Sequence, residues 1–181
     1  GAEVTSLELP VSWENALPKV IAAIKDLSPD VVVSVGQAGA RAKVTPEHIG
    51  INAMNGKENY EVQKTDHRID PDGVDGHFST LPVLQMVAAM QAAGVPAAVS
   101  YTAGTYLCNF AYWRALDAAD RDGGPRLVVF VHVPPLHRLG AHRLGAGAPS
   151  RLSRLSRRCH VAAERARLLA ALGALPVSIT A

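Results

Sequence analysis

The sequence predicts an α/β protein, a three-layer α/β/α sandwich built on a mostly parallel sheet. Strand-like and helix-like segments alternate along the chain, which is the pattern of crossover-connected parallel strands. The best-defined strand segments, residues 31–35 and 127–133, are β-branched or apolar almost throughout, as strands covered on both faces are. With 181 residues, 48% of them hydrophobic, the chain can fill one sizeable core, so a single domain over residues 1–181 is expected.

Residues 3–9 alternate weakly between polar and apolar and read as a strand ended by Pro10. Trp13, Leu17, Val20, Ile21 and Ile24 recur at helical spacing, predicting an amphipathic helix over 13–27 that Ser28-Pro29-Asp30 breaks. The valine run at 31–35 follows as a buried strand, then a Gly-rich turn at 36–40 and a short strand at 48–53. Between Met54 and Phe78 there is little periodicity but several turn formers, Asn55-Gly56 and Asp70-Pro71-Asp72-Gly73 among them, so a long functional loop is expected. Residues 81–93 read as a helix stopped by Gly94-Val95-Pro96, 97–101 as a strand, 105–119 as a helix, and 127–133 as a strand closed by Pro134-Pro135. Beyond these, His137-Arg138-Leu139-Gly140-Ala141 is repeated at once as His142-Arg143-Leu144-Gly145-Ala146, and residues 150–158 form a Ser-Arg-Leu repeat. Residues 137–158 are therefore expected to be an Arg-rich low-complexity loop, with a closing helix at 161–172.

Two cysteines in a chain of this length make no disulfide framework, which fits a reducing cytosol and a free thiol. Residues 1–14 contain no apolar stretch flanked by basic residues, and no apolar run nears the ~18 residues of a membrane span, so neither a signal peptide nor a membrane partner is expected. A net charge of +2 is too small to argue for nucleic acid, although residues 137–160 hold six arginines and no acid.

In such sheets ligands bind at the carboxyl ends of strands, where Gly36-Gln37, residues 102–108 and His132-Val133-Pro134 can converge. Cys108 follows a strand and the turn Thr102-Ala103-Gly104, with Thr105 reading as the helix N-cap. A thiol within a turn of a helix N-terminus is favoured as thiolate, and the N–H groups there can stabilise an oxyanion. A lone helical Cys is more often a small core hydrophobe. His132 is the one histidine of seven inside a predicted buried strand, which suits either a proton shuttle or a satisfied core histidine. Glu47, after Thr45-Pro46, could orient such a histidine or simply be an acid in a first helical turn; spacing does not select it. Cys159, beside His160, has no matching motif.

At this point the residues resemble a family. Val35-Gly36-Gln37-Ala38-Gly39-Ala40-Arg41 with Val44-Thr45-Pro46-Glu47 and Ile51-Asn52 resembles the Val-Gly-Gln-Ala-Gly-Gly-Arg…Ile-Thr-Pro-Glu-Arg…Ile-Asn signature of pyroglutamyl peptidase I. Ser100-Tyr101-Thr102-Ala103-Gly104-Thr105-Tyr106-Leu107-Cys108-Asn109 is similar to its nucleophile segment, and Phe130-Val131-His132-Val133-Pro134 to its Phe-Ile-His-Ile-Pro. The spacer Pro71-Asp72-Gly73…Phe78-Ser79-Thr80-Leu81-Pro82 also fits, so the match runs in family order over residues 4–135.

The resemblance implies a cysteine peptidase that removes N-terminal L-pyroglutamyl residues from peptides. Glu47 would orient, Cys108 attack and His132 serve as acid and base, with no cofactor or metal. Gln37 would contact the lactam, and Lys57 stands roughly where the family carries an Arg of the oxyanion site; exchanging a planar fork for a point charge is not neutral. The family's opening strand and Thr-Gly-Phe-x-Pro-Phe loop have no counterpart before Gly1. Two alternatives stay open: a catalytically impaired relative or fragment, and a binding module using the Arg-rich tail on nucleic acid. Oligomeric state is left open too, a homo-oligomer included.

Overall fold

The computed structural model describes residues 3–121 and 124–135. The expectations for the Arg-rich loop at 137–158, for Cys159 and for a helix at 161–172 lie outside the described residues. In chain order the elements are α1 (Trp13–Leu27), β1 (Val31–Gln37), β2 (Thr45–Pro46), β3 (Ile49–Ile51), β4 (Met54–Lys57), β5 (Gln63–His67), β6 (Gly76–Phe78), α2 (Val83–Ala92), α3 (Leu107–Ala119) and β7 (Leu127–Val133).

The central sheet has the order β1-β7-β2. β1 and β7 pair in parallel with Gly36 opposite His132, and β2 runs antiparallel to the end of β7 with Thr45 opposite His132. Alternation along β7 then decides which side chain meets which layer. Val129 and Val131 join Val83, Met86 and Met90 of α2 in one core cluster. Val128 and Phe130 join Tyr112, Ala115 and Leu116 of α3 in another. Helix α2 covers one face and α3 the other, so the fold is α/β with helices on both sides of a mixed sheet. His132 has the parity of Val128 and Phe130 and therefore faces α3.

Helix α1 has the bounds that its periodicity predicts. Ser12 caps it, its Oγ accepting from Asn15 N–H at 3.2 Å, and the buried Glu58 carboxylate accepts the Trp13 N–H. Ser28, at φ 44°, ends it. Trp13 then packs against Leu107, Phe110 and Trp113, which seats α1 on α3.

Several expected elements differ. Residues 3–9 form no strand; they are exposed or half-buried, Val4 at 72%, and their weak alternation offers too little apolar surface to fix a partner. The segment 54–78 is not one long loop. β4 and β5 form a hairpin with an irregular register at Gly56, whose φ of 131° and lack of a side chain let it lie against the Tyr106 ring. β6 pairs with β3, and the turns are at 58–61, where Glu61 N–H donates to the Glu58 carbonyl at 3.2 Å, and at Asp70–Gly73, where Gly73 N–H donates to the Asp70 carbonyl at 3.2 Å. The strand expected at 97–101 is an extended segment parallel to residues 44–48, with isolated pairings at Val44–Ala97 and Glu47–Ser100. Its bonds run Val44 N–H to Pro96, Ala98 N–H to Val44, Ser100 N–H to Pro46, and His48 N–H to Ser100. The missing rung is at Pro46, which has no N–H to give.

Candidate active site

Helix α3 brings the thiol into place. It begins at Leu107, two residues later than expected, because the Thr105 carbonyl accepts from Asn55 N–H at 2.7 Å and Tyr106 takes the extended N-cap position with no side-chain cap. Cys108 is then the second helical residue, half-buried, in the first turn where backbone N–H groups lack intrahelical partners. The Tyr106 hydroxyl donates to the Lys57 carbonyl at 2.8 Å and ties the β4–β5 hairpin to this turn. Asn109 is fully buried; its amide donates to the carbonyls of Ile51 and Ala53 and accepts from Ile51 N–H, which docks β3 on the helix.

Below the thiol lies Gly36 of β1. A Cβ there would stand 2.8 Å from the Phe130 ring and 3.2 Å from Cys108 Sγ, so only glycine lets sheet and helix approach this closely. Its neighbour in register, His132, is 5% exposed and points to the same side. The His132 Nδ1 lies 2.7 Å from Glu47 Oε1. Burial alone would depress the imidazole pKa, but Cys108, by hydrogen bond and charge, and then Glu47 outweigh it and raise the pKa from 6.5 to about 9. The ring is thus held as imidazolium, the partner a thiolate needs.

Glu47 is completely buried. Its backbone N–H donates to Phe130 at 2.8 Å and its carbonyl accepts the Tyr112 hydroxyl at 2.9 Å, so strand β7 and helix α3 both fix it. Burial pushes the Tyr112 hydroxyl up to about 12, against the lowering bond to Ser79, with the Glu47 charge adding to the rise; it remains a donor. Arg41 meets the same carboxylate oxygen as His132, Nη1 to Oε1 at 2.7 Å.

The structure therefore brings together Glu47, Cys108 and His132 from three separate parts of the chain. Gln37, exposed, closes β1 at the same rim next to Gly36. Lys57 ends β4 beside the start of α3, its ammonium paired with Glu61. Arg41, Tyr112 and Asn109 were not legible as site residues: Arg41 lies inside the Gly-rich signature, but its partners are set by folding, and the other two read as interior helix positions.

Comparison with known proteins bears on the family and the fold. The pyroglutamyl peptidase family model matches residues 1–172. The pyrrolidone-carboxylate peptidase of Bacillus subtilis is 38% identical over 135 residues, 74% of this chain and 63% of the relative. That of Clostridium perfringens is 40% identical over 136 residues, 74% of this chain and 64% of the relative. The chain spans less than two-thirds of the length of these curated relatives. Among solved structures, mutant pyrrolidone carboxyl peptidases from Pyrococcus furiosus are similar, at TM-scores of 0.73 and 0.74 and identities of 28% and 27%, covering 92% of this chain and 80% of theirs. The family model over residues 1–172, with the fold shared with these structures, makes this chain a member of the pyroglutamyl peptidase family.

Proposed function

We propose that the chain is a cysteine peptidase that hydrolyses the bond after an N-terminal L-pyroglutamyl residue. The observation that carries this reading is the relay itself: a thiol in the first turn of α3, an imidazole facing it, and a buried carboxylate 2.7 Å from the far ring nitrogen. The thiolate of Cys108 adds to the pyroglutamyl carbonyl carbon, and the oxyanion is met by the free N–H groups of the helix start. His132 gives its proton to the departing amine, the C–N bond breaks, and a thioester remains. Neutral His132 then takes a proton from water, whose oxygen attacks the thioester; on collapse the C–S bond breaks, sulfur leaves as thiolate opposite the His132 imidazolium, and pyroglutamate departs with its carboxyl proton lost to solvent. Glu47 holds the ring by its Nδ1 and balances its charge. Gln37 is assigned to the lactam and Lys57 to the oxyanion side of the pocket. No step needs a metal or cofactor.

The partner is then a peptide blocked by pyroglutamate, met in a reducing compartment such as the cytosol, where the thiol stays free. A single family model over residues 1–172 supports reading the chain as one peptidase domain. Among the described residues, no helix is long and apolar enough to cross a membrane. Release of fluorophore from a pyroglutamyl-coumarin amide tests the reading: turnover is expected for the chain and none for Cys108→Ala. A folded chain that fails to release fluorophore, or a Cys108→Ala variant that matches it, would overturn the proposal.

A further inference from the structure

Arg41 lies outside the relay, yet its side chain touches one member of it and the turn that leads to another. Nη1 forms an ion pair with Glu47 Oε1 at 2.7 Å and donates to the Thr45 hydroxyl, while Nη2 donates to the Thr102 carbonyl at 2.9 Å. Thr102 opens the turn that leads to Cys108, and Thr45 lies opposite His132 in the sheet register. One guanidinium thus spans the acid and the approach to the nucleophile, with 24% of its side chain still exposed. Its two cis-related nitrogens suit this, since a planar fork can serve a carboxylate and a carbonyl at once.

The sharing of one oxygen has a chemical consequence. Glu47 Oε1 lies 2.7 Å from both Arg41 Nη1, as an ion pair, and His132 Nδ1, while the buried Oε2 has no hydrogen-bond partner among the described residues. The carboxylate therefore stands between a permanent cation and a cation that comes and goes. Facing His132 are Cys108 from α3, Glu47 after β2 and the Phe130 ring, with Gly36 and Thr45 opposite it in register; of these, Cys108 and Glu47 can carry charge. Without a permanent cation, the buried carboxylate would hold the imidazolium proton harder and delay the moment when His132 turns from acid to base.

We propose that Arg41 is a positioning residue of the relay that shares the Glu47 carboxylate with His132, loosening its hold on the His132 proton, and that it fixes the nucleophile turn through Thr102. The kinetic part rests on the peptidase reading; the titration part does not. In the chain followed by histidine ring NMR, Arg41→Gln is expected to raise the His132 midpoint by about one unit, a tenfold tighter proton. Arg41→Lys, which keeps the charge, is expected to restore it. With the coumarin substrate, Arg41→Gln should move the rise of kcat with pH upward by the same unit, whereas Arg41→Lys keeps the profile but lowers kcat because the fork to Thr102 is gone. Should Arg41→Gln not fold, the wild-type chain still decides: the Arg41 guanidinium nitrogen signals should move with the same midpoint as the His132 ring. An unchanged or lowered His132 midpoint in Arg41→Gln, or guanidinium signals flat across that titration, overturns the assignment. A wild-type chain without turnover but with these shifts would sink the peptidase reading alone.

Discussion

His132 illustrates how a single side chain can be read twice. As sequence it is a histidine in an apolar strand, and a core histidine would lose proton affinity on burial. In the fold, the two groups it meets reverse that sign and lift its pKa from 6.5 to about 9. Since the folded chain holds this proton more tightly than the unfolded one, the interaction stabilises the fold in full below about pH 6.5 and is lost as pH rises through about 9. Urea midpoints of the chain should therefore fall over that window, and those of His132→Ala should fall less. Equal slopes for the two would contradict the assignment. Glu47, by contrast, could be picked from sequence only through the family signature. What distinguishes it from any acid after Thr-Pro is complete burial beside β7, and burial is a property of the packed chain. Arg41 was hidden for a related reason, because its partner Thr102 is 61 residues away.

At the level of elements, periodicity sufficed where one segment carries its own signal. The amphipathic stripe from Trp13 to Ile24 set α1 to the residue, and a run that is apolar but for His132 set β7. It failed where a partner makes the element. The β4–β5 hairpin is polar and half-exposed, and what holds it is contact with Tyr106 and the Glu58 carboxylate at the start of α1. The start of α3 moved because Asn55, from that same hairpin, occupies the carbonyl of the expected cap. Asn109 shows what such joints contribute. Its removal would leave the Ile51 N–H and the Ala53 carbonyl without their partner, while the Ile51 carbonyl keeps the Ala53 N–H. A buried group left unpaired costs about 1–3 kcal/mol, so Asn109→Ala is expected to lower stability by at least that much, read from urea unfolding. A loss below about 0.5 kcal/mol, within the range of ordinary surface substitutions, would mean that β3 is held to α3 by packing alone.

For the molecule as a whole, the layering explains why residues at 47, 108 and 132 meet. A parallel β1–β7 pair ends Gly36 and His132 at the same rim, and a helix crossing that face must start there to bury Phe110, Tyr112 and Trp113. The pattern of apolar strands between helices made this rim legible before any coordinates, since carboxyl ends of such strands are where ligands bind. The sheet itself is narrower than the pattern suggested. Three strands are bonded, β7 is the middle one, and among the described residues β1 has no neighbour on its other side, where Val35 is 57% exposed.

The gap at Pro46 bears on how this frame breathes. Residues 96–100 lead straight into the nucleophile turn, and they are fastened to residues 44–48 above and below a proline that offers no donor to the Ala98 carbonyl. A ladder interrupted in its middle opens at lower cost than one bonded throughout. Deuterium should accordingly enter the amides of Ala98 and Ser100 well before those of Val129 and Val131, and Pro46→Ala should slow it by supplying the absent rung. Equal uptake in all four positions would mean that the approach to Cys108 is as stiff as the sheet's centre; the expected order would make it the first part of the sheet to yield.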